Sequence, residues 1–304
     1  MYDCVIIGAG IAGLQAAIQL GRYRRDVLVV DAKEGRSVIC RNYSNILGWP
    51  EGVSGQELRC RGKQQAERYG VAFAEDKIIS VSRNQDIFIL EGTSGHLYKA
   101  KTILIATGIK DRIPEIRNLK ACLGLTVYIC PDCDGYEVSD KRVIIMGANE
   151  AGANLAKTLT YWTNEIIYVN HDGEDLHDAT KEELEKLHIQ YVKSEIAEVI
   201  VENEASFKGV KLQNGDVLHA ERGFIAFGGN QVHTELAEQL GVHLADNNHI
   251  MVNPRTKETN VANVWAAGDI VAHSEQVTIA MGDGSQAAVW IHKKLLLILQ
   301  ERNG

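Results

Sequence analysis

Two cysteines separated by two residues, Cys130 and Cys133, lie in the stretch Val127-Tyr128-Ile129-Cys130-Pro131-Asp132-Cys133-Asp134-Gly135-Tyr136. This spacing closes a small disulfide ring. At a helix start, free backbone N–H groups and the helix dipole favour one thiolate, which makes such a pair a redox couple rather than a fixed staple. Pro131 suits the first helical position. Asp134, directly after the second sulfur, is placed to exchange protons as electrons pass. A zinc site needs four ligands, usually including a second Cys or His pair, and no such pair occurs, so no metal is expected. Two buried thiols spaced by accident are the other alternative, and the surrounding elements decide between the readings.

Those elements begin with an apolar run, Tyr2 to Ile7, then Gly8-Ala9-Gly10-Ile11-Ala12-Gly13, a helical stretch Leu14 to Tyr23, and a second strand Val27 to Val30 ending at Asp31-Ala32. Strand, glycine turn, helix, strand and acid form the whole dinucleotide-binding context. The glycines admit a pyrophosphate to the helix N-terminus, and Asp31 can accept from ribose hydroxyls. The motif alone does not separate FAD from NAD. A loop-rich region with Asn42-Tyr43-Ser44-Asn45 follows, then a helix from about Gly55 to Tyr69, a small antiparallel set of strands, and a buried strand Lys101 to Ala106 running into Thr107-Gly108. Ile113-Pro114 breaks the pattern.

After the cysteine pair, the strand Arg142 to Met146 enters Gly147-Ala148-Asn149-Glu150-Ala151-Gly152, a helix continues to about Tyr161, and Ile166 to Val169 closes a second fold of the same kind. Its details differ from the first. Asn149 stands where the glycine nearest a pyrophosphate belongs, and Glu150 adds negative charge there. The strand ends in Asn170-His171-Asp172, which offers neither the Arg for a 2′-phosphate nor the carboxylate for a ribose. His171 reads as a solvated loop residue. Pyridine-nucleotide affinity is therefore expected to be poor or absent. Thr180-Lys181-Glu182-Glu183 reads as a capping box opening a helix to about His188. Gly228-Gly229-Asn230 marks the return crossing. Val264 to Ala267 with Gly268-Asp269, then Gln276-Val277, the glycine-rich turn Met281 to Gly284 and a helix from about Ser285 complete the first domain.

The predicted fold class is α/β, with two Rossmann-like three-layer domains, the second inserted into the first. Residues 1–113 plus 243–304 form one domain and 114–242 the other. At 304 residues two domains are expected. A net charge of -8 argues against a general nucleic-acid binder. Acidity concentrates between Glu165 and Glu204, with twelve Asp or Glu against three Lys, whereas residues 1–70 carry ten Lys or Arg against seven acids. No run reaches membrane length and the start lacks signal-peptide character, so a cytoplasmic location is expected. Six cysteines are too few for a disulfide scaffold.

The glycine turn at Gly8 to Gly13, Ala106-Thr107-Gly108, the Cys130–Cys133 pair with Asp134-Gly135, the second fold at Gly147 and Ala267-Gly268-Asp269 occur in an order and spacing that resemble the low-molecular-weight thioredoxin reductases across essentially the whole chain. The resemblance implies FAD in the discontinuous domain, contacted at Gly8, Gly10, Ile11, Ala12, Gly13, Asp31, Ala32, Thr107, Gly108, Gly268, Asp269, Gln276 and Val277. It implies that Cys133 faces the flavin, Cys130 attacks the partner disulfide and Asp134 relays the proton. It also implies a homodimer, domain rotation, and a thioredoxin-like protein or small-molecule disulfide as partner. The departures at Asn149 and Asn170-His171-Asp172 are similar to a branch without efficient NADPH use, such as the ferredoxin-dependent flavin thioredoxin reductases, with ferredoxin or flavodoxin as donor. Arg22, Arg24, Arg25, Arg59, Arg61 and Lys63 offer a docking face for such a donor, or a solvated surface. A flavin-dependent dithiol oxidase using oxygen, an ordinary NADPH-dependent thioredoxin reductase, a non-catalytic flavin sensor and a second FAD in the degenerate site are the alternatives.

Overall fold

The computed structural model describes residues 1–171 and 173–303, with side chains as far as residue 300. Asp172, read above as part of the second strand's end, lies outside the described residues. The chain forms two compact units. The first holds Met1–Val38, Val53–Lys110 and the chain from Gln231 onward, and the second holds Ile39–Gly52 and Asp111–Asn230. These limits do not coincide with the expected return at residue 243. Gln231–Val232 pairs antiparallel with Ile109–Lys110, and Leu236, Ala237 and Val242 pack into the first unit's core.

In the first unit a seven-stranded sheet runs in the order Ala72–Glu75, Val27–Asp31, Tyr2–Ile7, Leu97–Ile105, Ile87–Gly92, Ile78–Asn84, with Val264–Ala266 also paired to Leu97–Ile105. Tyr2–Ile7 is parallel to both of its neighbours. The two-residue side-chain period sends Cys4 and Ile6 to one face with Val27, Val29, Leu104 and Trp265. It sends Val5 and Ile7 to the other with Leu28, Val30, Ile103 and Ile105. From Cys4 onward the strand is apolar because both of its faces are covered. Each fully buried Ile, Leu or Val contributes about 1.5–3 kcal/mol.

Helix Ile11–Arg22 crosses the last helix, Val277–Asn303, on this sheet. The last helix begins eight residues before the expected Ser285, so Gly282 and Gly284 lie inside it rather than in a turn. The reason is packing. A Cβ on Gly284 would overlap the Ala12 carbonyl, so this glycine sets how closely the two helices approach.

The second unit has a five-stranded parallel sheet in the order Gln190–Lys193, Ile166–Asn170, Val143–Gly147, Arg222–Ala226, Val127–Tyr128. An antiparallel set, Ile196–Glu202, Ser206–Leu212 and Val217–His219, accompanies it. The helix expected to open at a Thr180 capping box spans Asp178–Lys186 instead, with His177 at its N-cap. Thr180 donates its hydroxyl to Glu150 rather than capping. Among the described residues no helix is long and apolar enough to cross a membrane.

Candidate active site

Strand Val127–Tyr128 delivers the cysteine pair in the second unit. Cys130 is the N-cap of a single helical turn, Pro131–Asp134, and Pro131 occupies its first position. The backbone N–H groups of Cys133 and Asp134 both donate to the Cys130 carbonyl, at 3.3 and 3.0 Å. One turn carries little macrodipole, so the thiolate needs another source of stabilisation. It has one: the Cys130 thiol is lowered from its ordinary value chiefly by its hydrogen bond with the Cys133 side chain, against the opposing effect of burial. Burial pushes the Asp134 carboxyl up to about 7, and the Glu137 charge adds to the shift. Gly135 allows this turn to lie on Trp162, whose indole ring stands 2.7 Å from where a Cβ would be. The turn therefore places two thiols and a carboxyl that exchanges its proton near neutral pH within five residues.

Cys40 carries no signal in the sequence, because its segment reads as an irregular loop. Ile39–Gly52 belongs to the same unit as the pair, and Arg41 donates its N–H to the Gly124 carbonyl at 2.9 Å. Burial pushes the Cys40 thiol up to about 12, with the charges of Asp134 and Cys130 contributing, so it is held neutral.

In the first unit the glycine turn is built for close approach. Gly8 has φ +104°, and a Cβ there would overlap the Ala106 carbonyl. Gly10 is the N-cap of the following helix, with no side chain capping it and nothing within 4 Å of where a Cβ would stand. The first turn of that helix, beginning with half-buried Ile11 and buried Ala12 and Gly13, carries no acid. Open space at an uncapped helix start fits a pyrophosphate. Asp31 accepts from the Ala9 N–H at 2.9 Å and from Arg59 at 2.8 Å, and Ala32 beyond it is exposed. Thr107 donates its hydroxyl to the His233 carbonyl, and Gly108 follows at φ +67°. Gly268, at φ +84°, would place a Cβ 2.8 Å from that of Ala12. Asp269 meets Arg36 at 3.2 Å, and burial raises its carboxyl. Gln276 and Val277 stand at the start of the last helix. The cradle fits FAD.

Two sequence expectations change here. Arg25 and Arg59 are turned into the first unit, bonded to His292 and to Ala9 and Asp31, so neither belongs to a solvated docking face. His171 is not a solvated loop residue. Its Nδ1 accepts the Ile196 N–H at 2.8 Å, and its ring packs edge-on against Phe227. The ionic clasp of Arg36 with Asp269 and Glu275 carried no local signal, since 233 and 239 residues of chain separate the partners.

The second glycine turn is arranged differently from the first. Asn149 is left-handed, φ +49°, and opens helix Asn149–Leu159. Its N–H donates to Asn170 Oδ1 at 3.1 Å, and its carbonyl accepts from the Tyr168 hydroxyl at 2.7 Å.

A family model described as pyridine nucleotide-disulphide oxidoreductase matches residues 2–284. A thioredoxin reductase from Streptomyces coelicolor is 29% identical, over 94% of this chain and 92% of its own length. One from Aquifex aeolicus is 28% identical, over 97% and 94%. The crystal structure of a protein named HlmI superposes with a TM-score of 0.88 at 25% identity, covering 99% of this chain and 94% of its own.

Proposed function

Because this chain belongs to the pyridine nucleotide-disulphide oxidoreductase family, we propose that it exchanges electrons between FAD and the Cys130–Cys133 pair, and from there with a thioredoxin-like protein or small-molecule disulfide. It is a flavin-dependent oxidoreductase of thioredoxin reductase-like α/β fold. The carrying observation is the lowered Cys130 thiol beside Cys133, with an Asp134 carboxyl pushed up to about 7.

In this reading Gly8, Gly10, Ile11, Ala12, Gly13, Asp31, Ala32, Thr107, Gly108, Gly268, Asp269, Gln276 and Val277 hold FAD, which when bound supplies two-electron chemistry. The Cys130 thiolate attacks one sulfur of the substrate disulfide and the other sulfur leaves as a thiolate. Asp134 delivers a proton to that leaving group. Cys133 then attacks the Cys130 sulfur, closing the Cys130–Cys133 disulfide and releasing the second substrate thiol. The substrate gains two electrons and the pair loses two.

The second nucleotide fold supports poor use of NADPH; reduced ferredoxin or flavodoxin are then the donor classes, and the resemblance to thioredoxin reductases implies a homodimer as the working form. Cys133→Ser is expected to leave the protein yellow while abolishing disulfide exchange, and undiminished turnover removes the pair from the mechanism. Anaerobic reduction by NADPH, NADH, reduced ferredoxin, reduced flavodoxin and dithiols, compared side by side, identifies the donor. Rapid full reduction at micromolar NADPH overturns the donor assignment.

A further inference from the structure

We propose that Asn170 closes the anion-binding turn of the second nucleotide fold with its own carboxamide and is the residue that determines the exclusion of a pyridine dinucleotide. This rests on the reading that NADPH is used poorly and supplies its cause. Asn170 ends strand Ile166–Asn170 and is 1% exposed. Its Oδ1 accepts the Asn149 N–H, a donor at the helix start where a phosphate oxygen would otherwise bind. Its Nδ2 donates to the Glu174 carbonyl at 3.0 Å and to the Tyr191 hydroxyl at 3.1 Å. One buried side chain thus ties the glycine turn to the following loop and to the neighbouring strand.

The loop is latched from several sides. The His171 N–H donates to the Gly147 carbonyl at 2.8 Å, and Tyr191 donates to Asp175 at 2.9 Å. Gly173 lies so near that a Cβ there would overlap the amide oxygens of both Asn149 and Asn170. The first nucleotide fold of the same chain is the internal comparison. There the strand-end side chain, Asp31, takes the N–H of Ala9, one residue before Gly10, and the space around Gly10 is open. In the second fold the strand-end side chain reaches one residue further, onto the helix start itself. The charge at this end is also wrong for a phosphate. Glu150 is held in the first helical turn by Thr180, and Lys181 and Tyr191 keep Asp175 ionised, its carboxyl lowered to about 2.

The test is calorimetric titration of NADPH into the purified flavin-loaded protein, with circular dichroism confirming each variant's fold. The double variant Asn149→Gly with Asn170→Ala is expected to bind NADPH at least tenfold more tightly than wild type. Gly173→Ala, which keeps every amide but forces the loop outward, is expected to gain affinity too. Asn170→Asp, which retains the acceptor and adds charge, gains none. Weak binding by wild type and equally weak binding by both the double variant and Gly173→Ala overturns the assignment of Asn170 while leaving the donor reading intact. Tight binding by wild type overturns both.

Discussion

The Asp31 carboxylate and the Arg59 guanidinium lie 2.8 Å apart, both largely withdrawn from solvent, and the same guanidinium donates to the Ala9 carbonyl at 3.0 Å. Arg59 therefore ties the first glycine turn to the end of the second strand. Arg59→Ala leaves a half-buried carboxylate and a carbonyl without their donor, and is expected to destabilise the protein by about 1–3 kcal/mol. Chemical denaturation of the flavin-free protein measures it, and retention of FAD through gel filtration is expected to fall in parallel.

Asp134 gives a pH dependence with a defined sign. Its folded pKa of about 7 lies above the ordinary carboxylate value, so its stability contribution is present in acid and is lost as pH rises through about 7. Asn cannot ionise, so Asp134→Asn is expected to be more stable than wild type at pH 8, by roughly 1–3 kcal/mol, and indistinguishable at pH 4. The same substitution removes the proton donor. Disulfide exchange in wild type is expected to decline as pH rises through about 7, and the variant to be slow with that inflection absent from a stopped-flow pH profile.

Gly284 and Ala12 set the crossing of the two helices beneath the first glycine turn, with a Cβ on Gly284 overlapping the Ala12 carbonyl. Gly284→Ala is expected to cost about 1–3 kcal/mol through overpacking. Because Ala12 follows the turn directly, the variant is also expected to release FAD at a lower temperature, seen as flavin fluorescence rising early in a thermal ramp.

Asp283 is 4% exposed and receives Lys257 at 2.7 Å, His273 at 2.6 Å and the Gly268 N–H at 3.2 Å. Asp283→Asn leaves Lys257 buried without its counter-charge and is expected to cost about 3–5 kcal/mol. The His273 ring is raised above its ordinary value mainly by its hydrogen bond to Asp283. Its contribution is therefore full below the ordinary imidazole range and fades as pH climbs through the raised value. Denaturation midpoints from pH 5 to 9 are expected to decline less in Asp283→Asn than in wild type, the difference being the His273 contribution.

Much of this protein is written locally. The apolar end of Tyr2–Ile7, the glycines after it, and the two-residue gap between Cys130 and Cys133 are patterns within a few residues, and Asp31 closes a motif of fixed spacing, so a reading of the chain recovers them. The left-handed Gly8 is legible for the same reason, since its conformation is dictated by the turn it makes.

Tertiary structure alone decided what distant segments do to one another. The last helix runs through Gly282 and Gly284 because another helix lies against it, although the local pattern marks a turn. Arg59 faces inward because Asp31 and Ala9 await it across the fold, and His171 packs on Phe227 rather than in water. Asn170 shows the division most clearly. Its amide is polar and uncharged, which the sequence states, but its hold on Asn149 exists only once two strands and a helix bring atoms 21 residues apart to 3.1 Å. Residue type sets what a group can bond, and packing selects which of those bonds forms.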